Sequence, residues 1–165
     1  MNKIIITGPE SSGKTTLCKN LANHFKLACS KEFARCYLEK NGYNYNQSDL
    51  LEIAKGQLLS EKNYQILDTD LITIKIWSEY KYESCDSWIL EKINEQKLEQ
   101  RFYLLCKPDI PWQSDPLREN PDNRDELFEI YKMELENLGY NYYIVEGKDR
   151  LEDVIKKIYK PATLN

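Results

Sequence analysis

Apolar and polar positions along the chain switch repeatedly between the period of a strand and that of a helix. Lys3-Ile4-Ile5-Ile6-Thr7 is a β-branched run without alternation, the pattern of a strand covered on both faces. Leu17, Leu21 and Phe25 then recur every four residues, an apolar helical stripe. Leu27-Ala28-Cys29-Ser30 reads as a second short strand, and residues 31–41 as a helix that Gly42 ends. Asn46 or Ser48 can cap the next helix, striped by Leu50, Leu51, Ile53, Ala54, Leu58 and Leu59. Tyr64–Asp68 is a third strand ending in a carboxylate, followed by helical patterns over Leu71–Tyr80 and Ser87–Leu98. Arg101–Cys106 is a fourth strand, and a helix from about Asp125 to Leu138 stops at Gly139. Tyr142–Val145 is a fifth strand, and Leu151, Val154, Ile155 and Ile158 stripe a final helix. Strands alternating with helices require parallel pairing through right-handed crossovers. The expected architecture is therefore a three-layer α/β fold around a five-stranded parallel sheet, in one domain spanning residues 1–165.

Between the first strand and the first helix stands Gly8-Pro9-Glu10-Ser11-Ser12-Gly13-Lys14-Thr15, a full G-x-x-x-x-G-K-[ST] phosphate loop. A strand, a glycine-bearing turn and a helix N-terminus form an anion cradle. Backbone N–H groups and the helix dipole face phosphate oxygens, Lys14 reaches the β- and γ-phosphates, and Thr15 is left to ligate Mg²⁺. Strand and helix on either side make a chance match improbable. The pattern predicts that a nucleoside triphosphate is held here.

Composition narrows the class. The 165 residues are 41% hydrophobic and 30% charged, with a net charge of −4 and no block of Lys and Arg. Such a balance argues against a nucleic-acid partner. No run approaches the roughly 18 apolar residues of a membrane span, and residues 1–7 are too short for a signal peptide. A cytoplasmic location without a membrane partner is expected. Five cysteines, Cys18, Cys29, Cys36, Cys85 and Cys106, show no C-x-x-C pair, so neither a disulfide framework nor a zinc site is implied. His24 is the only histidine and sits near the end of a helix, which excludes histidine chemistry.

Ligands of doubly wound sheets bind beyond the C-terminal strand edges, which selects the remaining candidates. Asp68 ends a strand beside the phosphate loop, where a carboxylate holds Mg²⁺; Asp68 or Asp70 equally suits the N-cap of the helix that follows. Glu32 follows the second predicted strand and is placed to accept the proton of an attacking hydroxyl, or to favour the dipole of its helix as a first-turn acid. Arg35, one turn later, can pair with Glu32 or a phosphate, or lie in solvent. Residues 107–124 hold four of the six prolines, little helical period, and Arg118 and Arg124. Long loops inside compact domains are usually functional, and a mobile lid over about 108–124 could bring arginines to a γ-phosphate. Its many acids also suit a plain solvated loop. Trp77 and Trp112 offer aromatic faces for a flat heterocycle, especially a cationic one, or simply pack.

Four segments in order, Gly8 to Leu17, Glu32 to Tyr37, Asp68 to Trp77 and Pro108 to Arg118, resemble the ribosylnicotinamide kinase domain at the C-terminus of NadR-type NAD-biosynthesis proteins. The resemblance covers nearly the whole chain. It implies a nucleoside-kinase-like P-loop fold, ATP and Mg²⁺ as cofactors, and γ-phosphate transfer to the 5′-hydroxyl of nicotinamide riboside, giving nicotinamide mononucleotide. It further implies ATP contacts from Gly8 to Thr16, Asp68 near Mg²⁺, and Arg118 and Arg124 in the lid; with the residue readings above, the catalytic candidates are Lys14, Glu32, Asp68, Arg118 and Arg124, and the metal ligands Thr15 and Asp68. It supports substrate contacts from the Glu32–Tyr37 and Asp68–Trp77 segments, where the candidates are Glu32, Arg35, Tyr37, Asp70 and Trp77, with Trp112 added from the lid and the turn Glu146–Arg150 flanking adenine. Unlike the bifunctional family, the chain begins at the kinase, so adenylylation is expected from another protein. Other readings are a kinase for another nucleoside, nucleotide or small alcohol, a silent ATP-binding sensor, and a nucleotide switch. The last rests on Cys106-Lys107-Pro108-Asp109, which resembles an N-K-x-D guanine reader without its asparagine.

Overall fold

A computed structural model describes residues 2–159. The strands are β1 (Lys3–Thr7), β2 (Ile66–Asp68), β3 (Arg101–Cys106) and β4 (Asn141–Val145). The helices are α1 (Lys14–Phe25), α2 (Phe33–Asn41), α3 (Gln47–Ser60), α4 (Leu71–Tyr82), α5 (Ser87–Gln96), α6 (Arg124–Leu138) and α7 (Arg150–Tyr159). All pairings are parallel, in the order β2-β1-β3-β4.

The β-branched runs are buried on both sides because successive side chains point to opposite faces. Ile5, Leu67, Tyr103 and Leu105 face a core built with α2 to α6. Ile6, Ile66, Leu104 and Cys106 face a smaller core under α1 and α7. Each fully buried aliphatic side chain contributes roughly 1.5–3 kcal/mol. Register places Ile6 opposite Asp68 on one side and Leu104 on the other, so β1 and β2 end together under the phosphate loop.

Among the described residues the sheet has four strands, not five. Leu27–Ser30 lies beside β2 but makes one isolated bridge, Cys29 to Ile66, with Ser30 N–H donating to the Ile66 carbonyl at 2.9 Å. The ladder ends there because Asp68 N–H donates instead to the Ser30 hydroxyl, at 3.1 Å, and Glu32 then starts a helix. Other elements fall close to expectation. Asn46 rather than Ser48 caps α3, in a capping box with Asp49, and Leu59 of its predicted stripe is exposed. α6 starts one residue early, at Arg124, and α5 stops at Gln96, two residues short of Leu98. Among the described residues no helix is long and apolar enough to cross a membrane.

Candidate active site

The phosphate loop keeps its shape through two glycines. Gly8 has φ +130°, and a Cβ there would meet the Cys106 carbonyl oxygen at 2.6 Å, so β3 leaves room for glycine alone. Gly13 has φ +83° and occupies the N-cap of α1 without a side-chain cap, which leaves the first-turn N–H groups free for an anion. Inside the loop the Ser12 hydroxyl donates to the Pro9 carbonyl at 2.7 Å. Lys14 Nζ donates to the same carbonyl at 2.6 Å, so the ammonium rests on its own loop until a phosphate competes for it.

Asp68, at the end of β2, is buried and its Oδ1 has no hydrogen-bond partner among the described residues. Burial pushes its carboxyl pKa up, and the nearby Thr15 hydroxyl and Lys14 ammonium pull it down. An orphaned carboxylate oxygen beside a hydroxyl, next to the phosphate loop, is the donor set a hard divalent cation takes. The site therefore fits Mg²⁺ held by Thr15 and Asp68.

Glu32 precedes α2 and makes no cap hydrogen bond. Gln57 of α3 fixes this turn: its Oε1 accepts from Phe33 N–H at 3.1 Å and its Nε2 donates to the Thr69 carbonyl at 3.3 Å. Gly56 lets Phe33 approach, since a Cβ there would lie 2.1 Å from Phe33 Cε1. Neither residue was signalled by the sequence beyond a glycine inside a helical stripe. Burial raises the Glu32 pKa; Lys14 lowers it and Asp68 raises it further.

Two cavities meet at this carboxylate. One of about 260 Å³ follows the phosphate loop to Arg35 and Arg118. The other, of about 100 Å³, is walled by Thr73, Trp77, Tyr80 and Tyr131. Glu10, Lys14, Glu32 and Leu117 line both.

Residues 107–123 cross over the phosphate loop. Glu10 accepts from Trp112 Nε1 (3.2 Å), Glu119 N–H (2.9 Å) and Asn120 N–H (2.7 Å). Ser11 Oγ accepts from Gln113 N–H at 3.0 Å, and Arg35 pairs with Asp115 at 3.2 Å. Arg124 Nη1 donates to the carbonyls of Ser11 and Ile110, each at 3.0 Å. Arg124 thus pins the crossing segment and lines neither cavity. Trp112, also outside both linings, is a contact of Glu10. Arg118 does line the phosphate cavity, with Nη1 donating to the Gln113 carbonyl at 2.6 Å.

Two further expected substrate contacts, besides Trp112, lie elsewhere. The Asp70 carboxylate is wholly buried: Oδ1 accepts from Ile72 N–H at 3.1 Å, and Oδ2 from Tyr103 OH at 2.6 Å and Arg101 Nη2 at 3.1 Å. It is the cap of α4 and, through Arg101 and Tyr103 of β3, one arm of an internal ion cluster with Glu61. Tyr37 donates to Asp49 at 2.9 Å and ties α2 to α3, away from both cavities. The Glu146–Arg150 turn backs onto the phosphate loop. Arg150 Nη1 donates to the Ser12 carbonyl at 2.6 Å, and its Nη2 pairs with Asp109, which also accepts from Gly147 N–H at 2.6 Å.

Residues 3–153 match the family model described as AAA domain (AAA_28). The chain belongs to this AAA-domain family. Among curated relatives, the trifunctional NAD biosynthesis/regulator protein NadR of Salmonella typhimurium is 28% identical over 128 residues, 70% of this chain and 30% of the relative. NadR of Escherichia coli is 27% identical over 161 residues, 88% of this chain and 38% of the relative. The chain thus spans about a third of the length of these relatives. A crystal structure of NadR protein in complex with NR superposes with TM-score 0.76 at 19% identity, covering 99% of this chain and 52% of that one. Deoxyadenosine kinase from M. mycoides with bound dCTP gives 0.64 at 16% identity, covering 96% and 100%. The chain shares the overall fold of these two proteins.

Proposed function

We propose that the protein transfers the γ-phosphate of ATP to a hydroxyl of a small nucleoside-like acceptor, with the 5′-hydroxyl of nicotinamide riboside preferred. The observation that carries this reading is the sharing of Lys14 and Glu32 by two adjoining cavities. A triphosphate and an acceptor placed in them meet at an ammonium and a carboxylate, the pair that in-line transfer uses. Lys14 leaves the Pro9 carbonyl for the β- and γ-phosphates. Glu32, its proton affinity raised by burial, takes the proton of the attacking hydroxyl. Arg35 and Arg118 offset charge along the phosphates from their side of the cavity. Thr15 and Asp68 would hold Mg²⁺, which would supply neutralisation of the phosphate charge.

The acceptor side favours a cationic ring. Glu10, Glu32 and Glu119 line it against one ammonium, Lys14, and the indole of Trp77 and the rings of Tyr80 and Tyr131 supply π-faces. Its volume of about 100 Å³ is below the range of roughly 300–1,000 Å³ typical of ligand sites, so residues 107–123 act as a lid that opens for entry. The likeness to NadR supports nicotinamide riboside over other nucleosides, and NAD synthesis in the cytoplasm as the setting. The switch reading loses support because Asp109 is occupied by Gly147 and Arg150.

The test is ADP formation from Mg·ATP with a panel of nicotinamide riboside, nicotinic acid riboside, adenosine, uridine and shikimate. Strong stimulation by nicotinamide riboside is expected. Stimulation by another member alone moves the acceptor, and ADP release indifferent to all of them removes the kinase reading.

A further inference from the structure

We propose that Tyr45 is a positioning residue that joins the wall of the acceptor cavity to its roof, so that closure of residues 107–123 and orientation of Trp77 are one event. The inference rests on the acceptor-cavity reading for its catalytic consequence, though not for the coupling itself. Tyr45 lies between α2 and α3 and lines neither cavity. Its hydroxyl accepts from Trp77 Nε1 at 2.8 Å and from Lys81 Nζ at 2.6 Å, and donates to Glu119 Oε2 at 2.8 Å. A phenolic hydroxyl offers one donor and two acceptor positions, and all three are used. An indole N–H and an ammonium only donate, and a carboxylate only accepts, so the Tyr45 hydroxyl is the one group of the four that both accepts from the indole and donates to the carboxylate.

Each partner belongs to a different part of the site. Trp77 walls the acceptor cavity, and its ring meets that of Tyr45 edge-on at 4.9 Å between centroids. Glu119 roofs the cavity, and its backbone N–H reaches Glu10 of the phosphate loop at 2.9 Å. Lys81 lies 3.9 Å from the centre of the Tyr45 ring and also pairs with Glu119 at 3.1 Å. Burial pushes the Tyr45 phenol up to about 12, so it keeps the proton it gives to Glu119 at physiological pH. The Tyr45 carbonyl, accepting from Tyr82 OH at 3.2 Å, fixes the backbone behind the ring. When the roof lifts, Glu119 leaves Tyr45, and the phenol that accepts from the Trp77 indole loses the carboxylate that fixes its own orientation.

The experiment compares the wild-type chain with Tyr45→Phe and, as a milder second variant, Glu119→Gln, which keeps an acceptor for the phenol. Indole and backbone amide resonances are read by ¹⁵N NMR, with Trp77 assigned by its loss in Trp77→Phe. In Tyr45→Phe the Trp77 indole and the Glu119 and Asn120 amides are expected to shift together. The acceptor KM is expected to rise about tenfold with a smaller fall in kcat, while the ATP KM stays within about twofold. Glu119→Gln should shift the same resonances less. Unmoved Trp77 and Glu119 resonances in folded Tyr45→Phe overturn the proposal, as does an equal rise in both KM values. Coupled shifts without phosphorylation of any panel nucleoside leave Tyr45 as the joint and refute the kinase reading instead.

Discussion

Replacing Asp70 by Asn separates a structural carboxylate from a substrate contact. Asp70 is fully buried, and its Oδ2 receives Tyr103 OH at 2.6 Å and Arg101 Nη2 at 3.1 Å. An asparagine can keep the Ile72 cap through its carbonyl oxygen, but its NH₂ then faces two donors. Breaking a buried ion pair from one side costs about 3–5 kcal/mol. Arg101 keeps Glu61 at 3.2 Å and Glu99 at 2.8 Å, which places the loss near the lower end, about 3 kcal/mol. For a chain of this size that lowers Tm by about 6–12 °C. Urea unfolding followed by far-UV circular dichroism gives the stability, and acceptor KM is measured at 15 °C, where the variant stays folded. The acceptor KM is expected within about twofold of wild type, because Asp70 lines neither cavity. Stability within about 1 kcal/mol of wild type with a tenfold rise in acceptor KM would refute the placement.

Glu32→Gln is expected to lower turnover about 10²-fold while ATP affinity, read by titration calorimetry, stays unchanged; full turnover removes Glu32 as the base. Burial raises the Glu61 carboxyl from 4.5 to about 7 despite Arg101. Its bound proton stabilises the fold fully below pH 4.5, and that contribution is lost as pH rises through 7. Glu61 alone should lower stability by about 1 kcal/mol between pH 6 and 8; the raised Glu32 and Asp68 carboxyls likewise favour the fold at low pH. Urea midpoints should therefore fall over that interval and fall less in Glu61→Gln; a rising midpoint contradicts the assignment. Gly56→Ala puts a methyl 2.1 Å from Phe33 Cε1, so about 1–3 kcal/mol of stability and part of the turnover should be lost as the Glu32 turn shifts, with unaltered kinetics and Tm as the opposing result.

The elements legible in the sequence are those whose determinants are local. β1, the phosphate loop and α1 are specified by adjacent residues, and Gly8, Lys14 and Thr15 follow from one spacing. Leu27–Ser30 misled because a strand needs a ladder, and Ser30 takes the next bond with its side chain. Asp70 misled for a related reason. A carboxylate just past a strand reads the same whether it meets a ligand or Arg101, and Arg101 lies 31 residues away. Arg124 and Trp112 were expected at the ligand and instead fasten the crossing loop through Ser11 and Glu10. Tyr45, Gly56 and Gln57 carry no motif, since their roles arise from partners on other helices.

The central claim is that a phosphoryl group passes between the two cavities that share Lys14 and Glu32. ³¹P NMR of the protein with Mg·ATP and nicotinamide riboside follows that group directly. A phosphomonoester resonance growing in step with ADP, and absent without the riboside, is the predicted result. ATP loss at one rate with and without the riboside, yielding only inorganic phosphate, would contradict it.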